Sequence, residues 1–492
     1  MKTKIVQQVH HLLFSNVSAK QTIFKNTLWL TVSTGANKIF SLVLVIYAAR
    51  ILGAEGYGQF SFALAFASLL MIFSDLGLAT IVTREFAREE KKDEWYAILS
   101  LKFVLALVTF LLIALLSFFI APNRDVQLIT LVLALFLLVN SILDTVQSFF
   151  HARQKMEYAA FFEVLQAFLI FGFGLFALLR FPSPLSLSYA YLLAALVASL
   201  FALLFFHLKI FPLSLKWDFS IWKRFLRMSW PLALMGLFGL LYSYIDSVML
   251  GYLGMLKETG WYSAAQKIVM AGLIPMGLIA SSLYPALSKF SKESKEKLQK
   301  AWSYELEIMV VLALPLVVGG FILAPQIIDA LYPADFVPAI LAFQILIFSA
   351  GLIFLYRPLY DAMIVSDQQG KVFWITMIGA LANVVLNLML IPKYSLYGAA
   401  FATVCTQALV LGAIIVFTVK LTPLRFPVAK TVLILLAAGF CSFVMWLLLR
   451  QLSLYHLSVF FLVPAGAAAY FAAFFMIRKY VLLPYAKQFY DA

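Results

Sequence analysis

The chain has 492 residues, of which 64% are hydrophobic and only 12% charged, and its mean hydropathy is +0.96. A water-soluble protein of this length would carry about a quarter of its residues as charges. The composition therefore excludes a soluble multidomain protein and requires an integral membrane protein, with a formal net charge of +14 that must be placed around the bilayer.

Residues 1–24 are polar and cationic, with no continuous apolar core of the kind a cleavable signal carries. They are read as part of a cytoplasmic amphipathic segment, 1–26, lying on the membrane or solvated beside it. Apolar runs then give about fourteen transmembrane helices: 27–50, 57–83, 98–120, 125–149, 159–180, 185–208, 228–252, 260–288, 303–325, 335–358, 372–392, 396–419, 428–450 and 455–478. Every second connection is very short, as at Ala121–Arg124 and Pro182–Ser183. Near the end, NVVLNLMLIPKYSLYGAAFATVCTQ (Asn383–Gln407) reads as a helical hairpin, with Pro392 stopping its first arm. Asn383 and Asn387 share one face and must bond across to a neighbouring helix or into a wet cavity. Gly398, Ala402 and Thr406 form a small-residue stripe on the second arm.

The basic residues orient these spans. With the N-terminus inside, 28 of the 37 Lys and Arg fall in inner segments, six in outer turns and three (Lys38, Lys102, Lys267) within spans. This bias predicts cytoplasmic N- and C-termini, and it makes the positive charge a topology signal and an attraction to anionic membrane lipid, not a nucleic-acid patch. The two cysteines, Cys405 and Cys441, lie inside apolar runs, and the five histidines have no ligand spacing. No metal site and no cofactor is expected.

A weak repeat links GYGQFSFA (Gly56–Ala63) after the first span to GWYSAAQK (Gly260–Lys267) after the seventh. The longest basic connection, Lys209–Arg227, falls between the sixth and seventh spans. The expected organisation is an N-lobe over 27–226, a C-lobe over 227–420, and two further helices with a cytoplasmic tail over 421–492. Parallel repeats of this kind commonly face each other across a central cavity.

Four stretches, AARILGAEGYGQFSFA (Ala48–Ala63), SDLGLATIVTREFAREE (Ser74–Glu90), LYPALSKF (Leu283–Phe290) and the 383–407 hairpin, resemble the polysaccharide and O-antigen flippases of the MATE-like superfamily. Their order and spacing, more than any one of them, carry the resemblance over nearly the whole chain. Ser395 departs from the Gly that relatives commonly carry there, and little consequence is expected. The resemblance implies an all-α fold with two six-helix lobes in a V-shaped arrangement that open alternately to each side. It also implies a cargo: an oligosaccharide on a polyprenyl diphosphate, moved from the inner to the outer leaflet of the cell's inner membrane. Other polysaccharide-assembly proteins are candidate partners.

Ionisable groups inside spans are candidate functional residues. Lys38 and Lys267 either flank a cavity, where ammonium groups replace the hydration a diphosphate loses, or pair with carboxylates and hold the fold. Arg50 sits at a helix end, as a headgroup anchor or a phosphate contact at the outer mouth. Asp75 and Asp246 are either sites for a coupling H+ or Na+ or the partners of those lysines. Arg357 and Asp361 are expected to form a local ion pair, and Asp144, Glu163, Glu305 and Glu307 to be solvated at the inner interface. Pro275, between Gly272 and Gly277, is a hinge candidate or a passive kink. Two other classes compete with a flippase. A polymerase or ligase acting on lipid-linked sugars would need positioned acids on a substantial outer loop, and the outer turns here are nearly bare. A multidrug exporter of the same superfamily would want an acidic cavity, against which the deep lysines weigh. No enzymatic activity is expected.

Overall fold

A computed structural model describes residues 16, 18–89, 92–210, 212, 214–453, 455 and 457–482. Most of the expected 1–26 amphipathic segment and the end of the C-terminal tail lie outside the described residues. The architecture is all-α. Its helices are α1 (Ala19–Leu70), α2 (Ile72–Asp75), α3 (Leu78–Arg88), α4 (Lys92–Ile120), α5 (Arg124–Ala152), α6 (Met156–Arg180) and α7 (Pro184–Lys209). They continue as α8 (Phe219–Tyr252), α9 (Leu256–Gly272), α10 (Ile274–Glu293), α11 (Lys295–Leu331), α12 (Ala339–Val365), α13 (Gln369–Leu421), α14 (Val428–Ser453) and α15 (Val459–Ile477).

Among the described residues, twelve helical stretches are long and apolar enough to cross a membrane. Two of them are double. The stretch 21–88 has 68 residues and α13 has 53. At 1.5 Å per residue these reach about 100 Å and 80 Å, against a hydrocarbon core of about 30 Å. Each divides into two arms at a non-helical residue, Gly53 (φ 68°, ψ −179°) in α1 and Ser395 (φ 52°, ψ −134°) in α13, and the second arm of the first stretch is interrupted again at Leu76 and Gly77. Counting both arms of each recovers the fourteen spans. Pro392 does not stop its arm as expected, because the chain stays helical until Ser395. The turn there needs a positive φ, and the chain supplies it with a serine, so the departure from glycine does have a structural consequence.

The remaining boundaries follow from local chemistry. Asn123 caps α5 through Oδ1, which accepts from the Val126 N–H at 2.9 Å. Ser183 caps α7, with Pro184 at the first helical position. Asp218 opens α8 by accepting from the Ser220 hydroxyl (2.6 Å) and the Ile221 N–H (3.2 Å), contacts that hold its carboxyl below the usual range. Many buried hydroxyls bond back into their own helices, as Thr109 to Leu105 O and Thr130 to Val126 O, which satisfies them without a partner from outside the helix. The outer surface is apolar: Phe118, Phe119, Leu200 and Phe460 are among the most exposed side chains, which suits acyl chains and not water.

The chain forms two compact units, Met1–Gly260 and Trp261–Ala492. The division falls beyond the long basic connection, so α8 belongs with the first unit. That unit is centred on an aromatic core in which Trp95 stacks on Phe206 (5.1 Å) and meets Phe86 and Phe149 edge-on. Also within it, Gly58 and Gly260 meet backbone to backbone. A Cβ on Gly58 would collide with Leu256 O, and one on Gly260 with Ala54 O. These are the opening segments of the two sequence repeats. The second unit packs Trp302, Leu306, Leu359, Met363 and Ile414 together. Within the same unit α14 and α15 lean on α11, where the Tyr470 hydroxyl donates to Val311 O at 2.8 Å.

Candidate functional site

In the first unit the second span is broken in its course. Leu76 (φ 47°) and Gly77 (φ 75°) are both left-handed, which ends α2 at Asp75 and restarts the helix at Leu78. The break exposes backbone donors, and Asp75 Oδ1 accepts one of them, the Ala79 N–H at 3.2 Å. The same oxygen receives the ammonium of Lys102 on α4. Lys102 is only 4% exposed and Asp75 30%. The partner of Asp75 is therefore Lys102, and neither of the lysines proposed from sequence. Lys102 is counted from sequence among the lysines within spans, four residues past the start of its apolar run at 98. The helix begins at Lys92, and ten residues carry Lys102 about 15 Å inward.

Polar side chains of neighbouring helices gather around this pair. Asp144 on α5 lies within electrostatic reach of Lys102, Asp75 and Glu163. Asn140 Nδ2 donates to Asp144 Oδ2 (3.4 Å) and Asn140 accepts from the Gln166 amide. Asn37 on α1 donates to Glu163 Oε1 at 3.3 Å. The cluster holds three carboxylates against one buried lysine, with amides between them. Such a set can take a proton or a small cation, and it offers the donors and acceptors that sugar hydroxyls need. Lys38, next to Asn37, is exposed, and among the described residues it has no hydrogen-bond or ion-pair partner. A second buried lysine, Lys25, was assigned by sequence to a cytoplasmic segment. It is fully buried in α1 and bonds Glu157 Oε2 (2.8 Å) and Asn16 Oδ1 (2.6 Å), tying α1 to the start of α6. Arg50 is exposed near the Gly53 turn, and Asp246 is buried on α8.

In the second unit, Lys267 on α9 is exposed and, like Lys38, without a partner among the described residues. The helix is interrupted at the single residue Leu273 within the stretch 256–293, and Pro275 lies in the first turn of α10 beside that interruption. Asn383 and Asn387 are fully buried. Asn387 donates to Asn383 Oδ1 (3.0 Å), and Asn383 donates across the hairpin to Thr406 Oγ1 (3.4 Å). Arg357 and Asp361 form their ion pair, Nε to Oδ2 at 2.8 Å. Glu307 pairs with Lys430. Glu305 differs from expectation: it is fully buried and meets Asp361, where solvation at the interface was expected. Its helix starts ten residues earlier, at Lys295, which carries Glu305 inside the packed unit. Lys102 and Glu305 share one signal that could have found them, a helix start set by caps and acidic first turns upstream of the apolar run.

The chain resembles known proteins along most of its length. Residues 23–291 match the family model described as "Polysaccharide biosynthesis protein". A probable flippase, AglR, of Haloferax volcanii is 28% identical over 172 residues, 34% of this chain and 36% of AglR, so the match spans about a third of that relative. An uncharacterised membrane protein of Methanocaldococcus jannaschii is 25% identical, covering 86% of this chain and 89% of its own. Among solved structures, the lipid II flippase MurJ in an inward closed conformation superposes with a TM-score of 0.75 at 15% identity, over 92% of this chain and 99% of MurJ. An inward-facing MATE-family multidrug transporter gives 0.60 at 16% identity, over 87% and 98%. These likenesses show that the chain has an all-α membrane fold like that of MurJ and the MATE-family protein. Because the family model spans more than half of its length, this multi-pass membrane protein belongs to the polysaccharide biosynthesis protein family.

Proposed function

We propose that the chain carries an oligosaccharide linked to a polyprenyl diphosphate from the inner to the outer leaflet of the cytoplasmic membrane by alternating access, with both termini in the cytoplasm. The observation that carries the reading is the pair of unneutralised ammonium groups deep in the spans. Lys38 lies nineteen residues from the start of α1 and fifteen before Gly53, and Lys267 lies eleven residues into α9. At 1.5 Å per residue, each is more than about 15 Å from its helix start. Neither has an acidic partner among the described residues. A bare ammonium at that depth is costly against acyl chains, so it requires water or an anion. A diphosphate entering the membrane requires the converse, fixed cations in place of its hydration. The two needs match. The names of AglR and MurJ, both called flippases, point the same way.

The acid-rich cluster of the first unit is assigned to a coupling ion, H+ or Na+, and not to the cargo. Asp75 is taken by Lys102, which leaves Asp144 and Glu163 as the carboxylates without a bonded cation. Coupling would assist an already favourable step. Each negative charge leaving an inside-negative cell gains about 2.3 kcal/mol per 100 mV. Replacing Lys38 or Lys267 by alanine is expected to lower export of the lipid-linked glycan while protein abundance stays constant. Normal export by both variants would remove the lysines from the mechanism and the reading with them.

A further inference from the structure

Glu305 on α11 is fully buried, and neither of its carboxyl oxygens has a hydrogen-bond partner among the described residues. It faces Asp361 on α12, which is 1% exposed and already engaged by Arg357. Among the described residues, the neighbouring polar groups offer no second cation. Tyr356 and Tyr360 lie on α12, Tyr284 on α10 lies near Tyr360, and Lys430 on α14 is engaged with Glu307. The cluster therefore carries two buried carboxyl groups and one guanidinium that is partly exposed. Two carboxylates cannot both stay ionised in such contact, because mutual repulsion adds to the loss of hydration.

We propose that Glu305 and Asp361 form a proton-binding site, an acid–carboxylate pair that holds one exchangeable proton between α11 and α12. The proton comes from water. An O–H bond forms on a Glu305 oxygen and hydrogen-bonds to Asp361, whose negative charge Arg357 neutralises. With one proton bound the cluster is electrically neutral; without it, one uncompensated negative charge is buried. A metal ion fits less well, since the site offers two carboxyl groups, no further oxygen ligand on these residues, and a guanidinium that repels it. Trp302, Leu306 and Leu359, neighbours of the pair along α11 and α12, are buried in one apolar cluster, and Trp302 Nε1 donates to Pro358 O (3.0 Å). Arg357, 30% exposed, is the polar link outward. Release of the proton thus requires α11 and α12 to part on the Arg357 side, which ties proton occupancy to the conformation of this unit.

The site does not depend on the identity of the cargo, and its test needs no transport. Infrared difference spectroscopy of the purified full-length chain in nanodiscs, at neutral pH in water and in heavy water, reads a buried carboxylic acid directly. The wild type is expected to show a carboxylic C=O band that shifts slowly on deuterium exchange. Glu305→Gln, which keeps the neutral shape, should abolish that band. Arg357→Gln, which withdraws the cation from Asp361, should about double it as both groups take protons. Absence of the band from the wild type, or its persistence in Glu305→Gln, would overturn the assignment. A band that appears only when sodium is removed would overturn it in favour of a cation site.

Discussion

Ser395 occupies a backbone conformation that belongs to glycine. With φ 52° and ψ −134° it sits at the first central position of a turn with the II′ sense, where a side chain is strained. The turn has little room to relax, because a Cβ on Gly398 would press on the Leu390 carbonyl and the two arms are pinned by the Asn383–Thr406 bond. Ser395→Gly should therefore relieve strain of about 1–3 kcal/mol. It should also give back about 0.4–1 kcal/mol through the greater freedom of glycine in the unfolded chain. The expected net effect is a gain of about 1 kcal/mol. Unfolding of the purified protein in mixed micelles with increasing SDS would show it as a higher midpoint with an unchanged slope. The reciprocal change supplies the control. Gly53 adopts φ 68° and ψ −179°, and Gly53→Ser should cost about 1–3 kcal/mol. An unchanged or lower midpoint for Ser395→Gly, with Gly53→Ser behaving as stated, would falsify the strain argument.

Other outcomes follow from the same geometry. Gly58→Ala or Gly260→Ala places a methyl group inside backbone carbonyls and should cost several kcal/mol, about 3 or more, read as a large drop in folded yield; wild-type stability in either variant would disprove the close approach. Lys102→Met should cost about 3 kcal/mol, discounted for the partial exposure of Asp75, and Asp75→Asn in the same chain should restore most of it; additive losses would show that the two do not act as a pair. Asp218 has its carboxyl held low by the Ser220 hydroxyl and the Ile221 N–H, so its cap is in force above the ordinary carboxylate range and is lost as pH falls through the depressed value. Hydrogen exchange in the first turn of α8 should accelerate there in the wild type, and at every pH in Asp218→Ala.

The span count and the short turns were legible because twenty apolar residues in a row have few alternatives in water. Apolar runs leave out the polar first turns of the helices, as at Lys92 and Lys295. Glu305 was thereby expected at an interface when it is interior, and Lys102, although within a span, lies deeper than its distance from residue 98 suggests. Pairing between helices was not readable, since Asp75 meets Lys102 across a helix break that Leu76 and Gly77 create, and no spacing rule joins residues 27 positions apart. Arg357 and Asp361, four apart on one helix, were readable for the opposite reason. The hairpin was found, but its turn was placed on Pro392 when the chain reverses at Ser395, because a proline suggests a stop more plainly than a serine suggests a positive φ.

The deep lysines separate into two kinds, and the separation predicts different phenotypes. Lys25 and Lys102 are buried and bonded to carboxylates. Lys38 and Lys267 are exposed and bonded to none among the described residues. A buried partner removed leaves a stranded charge, so truncating Lys25 or Lys102 should reduce stability first and function only as a consequence. Removing an exposed, unpaired ammonium strands nothing and spares the fold a desolvation cost. Lys38→Ala and Lys267→Ala should thus be neutral or mildly stabilising in SDS titration, and their loss of export must arise from the cargo. If either variant lost stability in proportion to its lost export, the lysine would be structural, and the diphosphate would need another cation.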